Sequence, residues 1–205
     1  MGNRRLAILL SGRGSNLLAI HEAILRGELD ARICCVISNV PDAAGLARAR
    51  ELGLHAICVP SRGVERSEYD GKLISILRPL DPALVCLAGF MRILTPEFVR
   101  AFPGRVMNIH PALLPSFPGL HAQRQALEHG VKVSGCTVHL IDEGVDTGPI
   151  LMQRAVAVLE GDTEESLSAR ILEQEHQLYW RVIAHMLDRI NSVPEPKEAE
   201  AAGAS

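Results

Sequence analysis

The sequence has few aromatic residues: they make up 3% of its 205 residues, with a single tryptophan. Proteins that bind single-stranded nucleic acid stack the bases on aromatic rings, so this scarcity argues against such a partner. The formal net charge is −3, which provides no overall attraction for nucleic acid or for an anionic membrane. We therefore expect small molecules as partners, and neither nucleic acid nor a membrane.

The five cysteines form no Cys-x-x-Cys pair, so the sequence predicts neither a zinc motif nor a redox motif. Most of them lie in apolar runs, as expected for reduced thiols in a cytoplasmic protein. The apolar run that follows residues 1–5 is too short for a signal peptide or a membrane span. His110, His121 and Asp146 lack metal-ligand spacing, so no metal is expected.

Short apolar runs alternate with helical patterns over the first 110 residues. The pattern predicts strands over 6–10, 31–38, 55–59, 83–88 and 105–109, and helices over 17–26, 43–52, 69–80 and 96–101. The strands are continuously apolar, which is typical of a mostly parallel sheet that is covered on both faces. The predicted class is α/β, with an open, mostly parallel, twisted sheet and helices on both faces.

A different pattern follows residue 110. It predicts a short helix over 123–128, a longer antiparallel strand pair over 134–141 and 150–158, and a long helix over 163–186. Asp162 or Thr163 would cap the long helix. Residues 191–205 have no apolar periodicity and are predicted to be a disordered tail. We therefore expect one domain over residues 1–190, with an antiparallel extension of the sheet and a long helix at its carboxyl end.

Three polar residues carry usable chemistry. Asn108 and His110 stand two residues apart at the end of a predicted strand, so their side chains point the same way. Asp146 follows in a turn rich in glycine and proline. An amide, an imidazole and a carboxylate are the components of a general acid–base site with an oxyanion donor.

The loop Ser11-Gly12-Arg13-Gly14-Ser15-Asn16 lies between the first predicted strand and helix. Its glycines and the helix N-terminus could hold a phosphate. It matches neither the dinucleotide-binding fingerprint nor the Walker A loop, because Leu17 replaces the third glycine and a lysine is missing. An ordinary tight turn, with Ser15 as helix cap, stays open as an alternative. The loop's place at the carboxyl end of a strand favours ligand binding.

Several segments, in order from about Leu6 to Leu187, resemble those of the phosphoribosylglycinamide formyltransferase family, which is the folate-dependent transformylase family of purine synthesis. The resemblance rests on Ser11 to Leu17, Leu87 to Leu94, Asn108 to Pro115, Phe117 to His121 and Asp146 to Pro149. It implies a Rossmann-like formyltransferase fold. The nucleotide-phosphate half would occupy residues 1–100 and the folate and catalytic half residues 101–190.

The resemblance also implies a reaction. The amine of glycinamide ribonucleotide would attack the formyl carbon of 10-formyltetrahydrofolate, the cosubstrate, and a tetrahedral intermediate would collapse without a covalent enzyme intermediate. Asn108 would donate a hydrogen bond to the formyl oxygen. His110, as imidazolium, would stabilise the same charge and supply a proton to N10. Asp146 would raise the pKa of His110 and order a water.

Binding residues follow from the same resemblance. Gly14, Ser15 and Asn16 would hold the phosphate, and Glu175 would hold the amine, although a solvated helix face remains the alternative for Glu175. The folate contacts implied are Arg66, Met91, Arg92, Ile93, Leu94, Asn108, Asp142, Glu143, Gly144 and Val145. Gly144 stands where relatives often have a side chain, which predicts a looser loop.

Three other functions share parts of this pattern. A formyltetrahydrofolate hydrolase shares the catalytic set, but such enzymes usually carry an N-terminal regulatory domain, for which no room is expected before Leu6. A methionyl-tRNA formyltransferase would need a basic C-terminal domain, whereas this chain ends in one helix and an acidic tail. A non-catalytic nucleotide-binding module would leave Asn108, His110 and Asp146 unexplained. A homodimer remains open.

Overall fold

The structure is a computed structural model that describes residues 2–192, so residues 193–205 of the predicted tail lie outside the described residues. Seven strands form one sheet: β1 (Arg5–Leu10), β2 (Arg32–Ser38), β3 (Ala56–Cys58), β4 (Leu84–Leu87), β5 (Val106–His110), β6 (Val133–Leu140) and β7 (Ile150–Ala157). The described helices are α1 (Ser15–Leu25), α2 (Ala44–Glu51), α3 (Arg66–Leu80), α4 (Pro96–Ala101), α5 (Ala122–Glu128) and α6 (Glu164–Ser192).

The strand order is β3-β2-β1-β4-β5-β6-β7. Strands β1 to β5 pair in parallel, whereas β6 and β7 extend the sheet by antiparallel pairing. The predicted α/β class and the antiparallel extension are therefore confirmed. Strands β2 and β3 are added on one side of β1, and strands β4 to β7 are added on the other side. This reversal between β1 and β4 opens a crevice at the carboxyl ends of the strands, where open α/β sheets bind ligands.

Apolar residues of successive strand positions pack on opposite faces of the sheet. Leu6, Ile8 and Leu10 belong to a first core cluster that includes buried residues of α1, α2, α5 and α6. Ala7 and Leu9 belong to a second core cluster that includes buried residues of α3 and α4. This alternation follows from the period of two along a strand, and it confirms that helices cover both faces.

The predicted element ends agree with the structure to within a few residues except in the last helix. Helix α6 was expected over 163–186 but continues to Ser192, so Asn191 and Ser192 close the helix. Thr163 caps it: the Ser166 amide donates to Oγ1 of Thr163 and the Thr163 amide donates to Oγ of Ser166. This reciprocal pattern satisfies two backbone donors at the first turn. In the described part of the chain, none of the helices combines the length and apolarity that a membrane span requires.

Candidate active site

Strand β5 directs two polar side chains to the face of the sheet that carries the second core cluster. Val106 packs in that cluster, whereas Met107 and Ile109 pack in the first. Because side chains alternate along a strand, Asn108 and His110 point to the side of Val106. His110 is buried and Asn108 is half-buried. The shared orientation predicted from their spacing is confirmed.

The carboxylate of Asp146 lies between two imidazoles. Its Oδ2 is 3.4 Å from Nδ1 of His110, and its Oδ1 is 3.5 Å from Nε2 of His139. The amide of Gly119 donates to Oδ2 at 2.8 Å. Asp146 has a left-handed backbone with φ 54, a conformation that aspartate adopts more readily than most residues. The structure thus brings Asn108, His110 and Asp146 together and adds His139 to them.

His139 was given no role from the sequence. It lies on β6 directly opposite Asn108 on β5, and its side chain is fully buried. The sequence does contain a signal for a role, because His139 stands in a strand of otherwise apolar or small residues. A polar side chain that is buried among apolar ones often has a specific role. Pairing between β5 and β6 was needed to show which residue it faces.

Hydrogen bonds fix the orientation of His139. Its Nδ1 is 2.9 Å from the carbonyl oxygen of Leu140, which can only accept, so we assign the proton to Nδ1. Nε2 then accepts from Nδ2 of Asn108 at 3.3 Å. One N–H of the Asn108 amide is used by this contact, and the second is available for a ligand oxygen. His139 therefore determines which way the Asn108 amide points.

The ring of His110 is held at both nitrogens. Nε2 lies 2.8 Å from the carbonyl oxygen of Phe117, so it carries the proton, and Nδ1 facing Asp146 is the basic atom. Burial lowers the pKa of His110, and the Asp146 carboxylate only partly opposes this effect. The direction of the Asp146 effect agrees with the prediction. Desolvation exceeds the carboxylate's attraction, which disfavours the imidazolium before substrates bind, and its expected role stays a prediction.

The pKa of Asp146 is also displaced. Burial would raise it, but the Gly119 amide, which donates to Oδ2, and the nearby rings of His139 and His110 leave the pKa of Asp146 below its ordinary value. A carboxylate that accepts a backbone N–H keeps its charge more easily than a free one. At neutral pH the site therefore holds one negative charge beside a neutral imidazole.

The glycine loop follows β1 and leads into α1. Gly14 is the N-cap, with φ 75, so the alternative that made Ser15 the cap is wrong. In the described structure α1 has neither a side-chain cap nor an acidic residue in its first turn. Its first amides and its partial positive charge are thus available to an anion. Gly14 also packs against Gly45 of α2, and the Gly45 amide donates to the carbonyl oxygen of Gly12 at 2.9 Å.

Glu175 lies on the inner face of α6, not on a solvated face, so that alternative is excluded. Its side chain is buried one turn before Tyr179, whose hydroxyl donates to the carbonyl oxygen of Leu87 at 2.9 Å. Nδ2 of Asn16 donates to Oε2 of Glu175 at 2.8 Å. Burial raises the pKa of Glu175 to about 7, and the contact from Asn16 lowers it only in part. Glu175 and the glycine loop are therefore in direct contact.

The segment of residues 91–94 follows β4 on the other side of the crevice. Met91 and Ile93 are 66% and 51% exposed, which is unusual for large apolar side chains. Leu94 is instead buried in the second core cluster, so its side chain packs beneath the segment. Val145, in the loop after β6, is 45% exposed. Exposed apolar side chains that form a contiguous patch mark a ligand or partner surface.

The two arginines predicted to contact folate are partly occupied by the protein itself. Nη1 and Nη2 of Arg92 donate to the carbonyl oxygens of Ser61 and Val64 at 3.1 and 3.4 Å, and its guanidinium lies over the Tyr69 ring. Nη2 of Arg66 donates weakly to the carbonyl oxygen of Leu94 at 3.4 Å. The Arg92 side chain therefore anchors its own segment, instead of extending a free polar group toward a ligand.

The loop of residues 142–146 is ordered by its own polar groups. Oδ1 of Asp142 accepts from the Gly144 amide at 3.0 Å and from the Thr147 hydroxyl at 2.7 Å. A Cβ at position 144 would lie 2.0 Å from Oγ1 of Thr147. Thr147 fills the space beside Gly144 and donates to Asp142, and the expected loosening of this loop stays a prediction. Glu143 forms an exposed ion pair with Arg100 at 3.0 Å.

A mostly parallel sheet, a glycine loop at its switch point and an Asn/His/Asp cluster at the end of β5 define an α/β protein equipped for acyl-type transfer. Comparison with known families agrees with this geometry. The model of the formyl transferase family matches residues 4–183. The chain belongs to that family, which confirms the resemblance seen in the sequence.

Individual relatives are more specific. Phosphoribosylglycinamide formyltransferase of Escherichia coli is 44% identical over 185 residues, which cover 89% of this chain and 87% of that protein. The glycinamide ribonucleotide transformylase 1 structure from Symbiobacterium toebii superposes with a TM-score of 0.88 at 48% identity, covering 91% of this chain and 89% of the other. The trifunctional purine biosynthetic protein adenosine-3 of Drosophila melanogaster is 46% identical over 90% of this chain, which spans only 14% of that protein's length.

Proposed function

We propose that the protein transfers the formyl group of 10-formyltetrahydrofolate to the amine of glycinamide ribonucleotide, a step of purine biosynthesis. The observation that carries this proposal is the juxtaposition of Asn108, His110 and Asp146 at the end of β5. The names of the relatives from Escherichia coli and Symbiobacterium toebii support the choice of substrates. The reaction needs an oxyanion donor and a group that moves a proton, and the site offers both.

Asn108 is the oxyanion donor in this proposal. When the amine attacks the formyl carbon, a C–N bond forms and the carbonyl electrons move to the formyl oxygen. The second N–H of the Asn108 amide, which His139 leaves unused, donates to that oxygen. A donor of this kind typically supplies about 2.7–4 kcal/mol of transition-state stabilisation.

His110 carries the proton from the attacking nitrogen to the leaving nitrogen. Its neutral ring accepts the amine proton at Nδ1, where the Asp146 carboxylate stabilises the imidazolium that results. The tetrahedral intermediate then collapses: the carbonyl re-forms, the bond from the formyl carbon to N10 breaks, and N10 takes the proton from His110. The expected role of the imidazolium in stabilising charge thus applies after proton uptake, not before it.

The ribonucleotide would lie between the glycine loop and α6. Gly14, Ser15 and Asn16 are assigned to its phosphate because the uncapped N-terminus of α1 begins there. Glu175 is assigned to its amine, since an ionised carboxylate in contact with Asn16 would accept a hydrogen bond from an N–H of that amine. These assignments are supported by the contact that joins the loop to α6.

The folate donor would lie across the segment of residues 91–94 and the loop of residues 142–146. Exposed Met91 and Ile93 fit the apolar faces of a pterin ring, and Val145 fits the opposite side. Backbone groups of Asp142, Glu143 and Gly144 are the proposed polar contacts, because the Asp142 carboxylate is already used within the loop. We assign Arg66, Arg92 and Leu94 to this region as supports of the segment.

Formyl transfer measured with and without glycinamide ribonucleotide tests the proposal. Absorbance of the deformylated folate reports turnover. The test variant is Asn108→Asp, which keeps the shape of the side chain but replaces the N–H donor with a carboxylate. We expect turnover only with the ribonucleotide present, and loss of it in the variant. Deformylation that proceeds equally without the ribonucleotide would indicate a formyltetrahydrofolate hydrolase.

We also propose a cytoplasmic location, supported by five cysteines that are all free in the described part of the chain. The proposed organisation is one domain over residues 1–190, with a nucleotide half before residue 100 and a folate half after it. Assembly into homodimers stays a prediction, and sedimentation equilibrium of the full chain measures it.

A further inference from the structure

A chain of polar side chains, in which Ser11 is half-buried and Asn39 and Ser61 are buried, joins the loops after β1, β2 and β3 to the segment after β4. Oγ of Ser11 contacts Oδ1 of Asn39 at 2.5 Å, and Nδ2 of Asn39 donates to Oγ of Ser61 at 3.0 Å. The amide of Met91 donates to Oγ of Ser11 at 2.7 Å. Asn39 and Ser61 are each 8% exposed. None of these three side chains has a part in the proposed chemistry.

The direction of every hydrogen bond in this chain follows from one backbone group. The Met91 amide can only donate, so Oγ of Ser11 accepts from it and turns its own proton toward Oδ1 of Asn39. The amide of Asn39 is thereby oriented with Nδ2 toward Ser61. Each member satisfies the next one, which is the condition under which a buried polar network orders a structure instead of weakening it.

The far end of the chain returns to the same segment. The Ser61 carbonyl oxygen accepts from Nη1 of Arg92 at 3.1 Å, and the Ser61 amide donates to the carbonyl oxygen of Asn39 at 3.2 Å. One end of the network therefore holds the Met91 amide, and the other end holds the side chain of the next residue, Arg92. The Ser11 amide adds a contact to the carbonyl oxygen of Gly89 at 3.0 Å.

We propose that Ser11 is a positioning residue for the formyl donor: its hydroxyl, oriented by Asn39 and Ser61, fixes the backbone at Met91 so that the exposed Met91 and Ile93 side chains face the crevice. This inference rests on the proposed function, because it assigns the segment of residues 91–94 to the folate. Ser11 lies in the loop assigned to the other substrate, so its position in the chain alone suggests the opposite specificity. The network spans the reversal between β1 and β4, where the two substrates must meet.

Steady-state kinetics of the full chain test this assignment, with Ser11→Ala, Ser11→Thr and the matched control Ser75→Ala. Ser75 is an exposed residue of α3 whose hydroxyl contacts only the Gly71 carbonyl oxygen among the hydrogen bonds of the described residues. We expect Ser11→Ala to raise the KM for the formyl donor roughly three- to tenfold, the loss typical of one intramolecular hydrogen bond. The KM for the ribonucleotide should change less than about twofold, a ratio within the scatter of surface substitutions. Ser11→Thr should restore the donor KM because it keeps the hydroxyl.

Asn39→Asp provides a second test, since it keeps the acceptor for Ser11 but removes the donor to Ser61. The same selective rise in the donor KM is expected, and thermal unfolding shows whether each variant is folded. An active wild-type enzyme whose donor KM is unchanged in both variants would overturn the inference and leave the proposed function intact. Equal rises in both KM values would overturn it too, because they would show general damage. A wild-type chain without formyl transfer would instead refute the proposed function.

Discussion

Asp146→Asn removes one charge from the site and leaves its shape nearly unchanged. The asparagine can still accept the hydrogen bond that the Gly119 amide gives to Oδ2 at 2.8 Å. It cannot stabilise an imidazolium at His110 by charge, and this is the function that the structure assigns to the carboxylate. The substitution therefore tests electrostatics separately from packing.

The expected fall in kcat can be worked out from the distance between His110 and Asp146. Nδ1 of His110 lies 3.4 Å from Oδ2 of Asp146, and the two side chains are only 5% and 13% exposed, so solvent screens the pair weakly. At an effective dielectric constant of roughly 20, two unit charges at this separation attract by about 5 kcal/mol. That energy corresponds to a rate factor of about 4 × 10³. The oxyanion donor stays in place, so we expect kcat to fall by about 10³-fold, with 4 × 10³ as the approximate upper bound.

The assay is kcat measured against pH with both substrates saturating. Neutral His110 must accept a proton, so kcat of the wild type should fall as the pH decreases through the lowered pKa of His110. Asp146 raises the pKa of His110, and removing the carboxylate lowers that pKa further. The acid limb of the variant should therefore move to lower pH while its plateau decreases.

Two results would refute this reasoning. A variant that retains kcat within about threefold of the wild type, less than 1 kcal/mol, would show that Asp146 does not stabilise the transition state. An acid limb that moves to higher pH would show that the group observed is not a histidine stabilised by this carboxylate. Asp188→Asn is the control, because Asp188 is an exposed carboxylate of α6 that pairs with Arg4 and not with His110.

Glu175→Gln should raise the KM for the ribonucleotide, and in the wild type that KM should rise as the pH falls below about 7, where Glu175 takes up a proton. Because the folded pKa is above the unfolded value, Glu175 costs stability as the pH rises from its ordinary pKa to about 7. At pH 8 the free energy of unfolding of the variant should exceed that of the wild type by up to about 3 kcal/mol. At pH 4, where Glu175 is protonated in both states, the two proteins should be equally stable. Gly14→Ala should destabilise the fold by more than about 1 kcal/mol in urea, since φ is +75 and the added Cβ would lie 2.6 Å from Cα of Gly45; Gly12→Ala, with no atom within 4 Å, is the control and should have little effect. His139→Leu should lower kcat by roughly 5- to 150-fold at nearly unchanged KM values, because the Asn108 amide loses the acceptor that orients it; an unchanged kcat in a folded variant would contradict that role.

Local patterns predicted the elements well. Continuously apolar runs identified the buried strands of the parallel part, and the longer, more alternating pair identified β6 and β7. The spacing of Asn108 and His110 predicted their common direction, which depends only on the period of a strand. The end of α6 was predicted too early, at residue 186, although Leu187 is apolar and buried; the polar residues Asn191 and Ser192 complete the helix.

The site could be predicted only in part. A motif can show that Asp146 and His110 belong to one family pattern, but the net pKa of His110 depends on how much water the folded structure excludes around it. Leu94 is buried in the core, and the Arg92 guanidinium donates hydrogen bonds to carbonyl oxygens of the protein itself. Neither outcome can be read from residue type, because a leucine or an arginine can face a ligand or the protein interior equally well.

The sequence by itself determined the α/β class, the family and the three residues at the centre of the chemistry, because these depend on periodicity and on short motifs within single segments. Only the tertiary structure decided that β5 pairs with β6, and so that His139 faces Asn108 across the sheet. It also decided that Glu175 is buried against Asn16, 159 residues away along the chain, and that Ser11 holds the backbone of Met91. Contacts between distant segments depend on strand order and helix packing, which no local pattern contains.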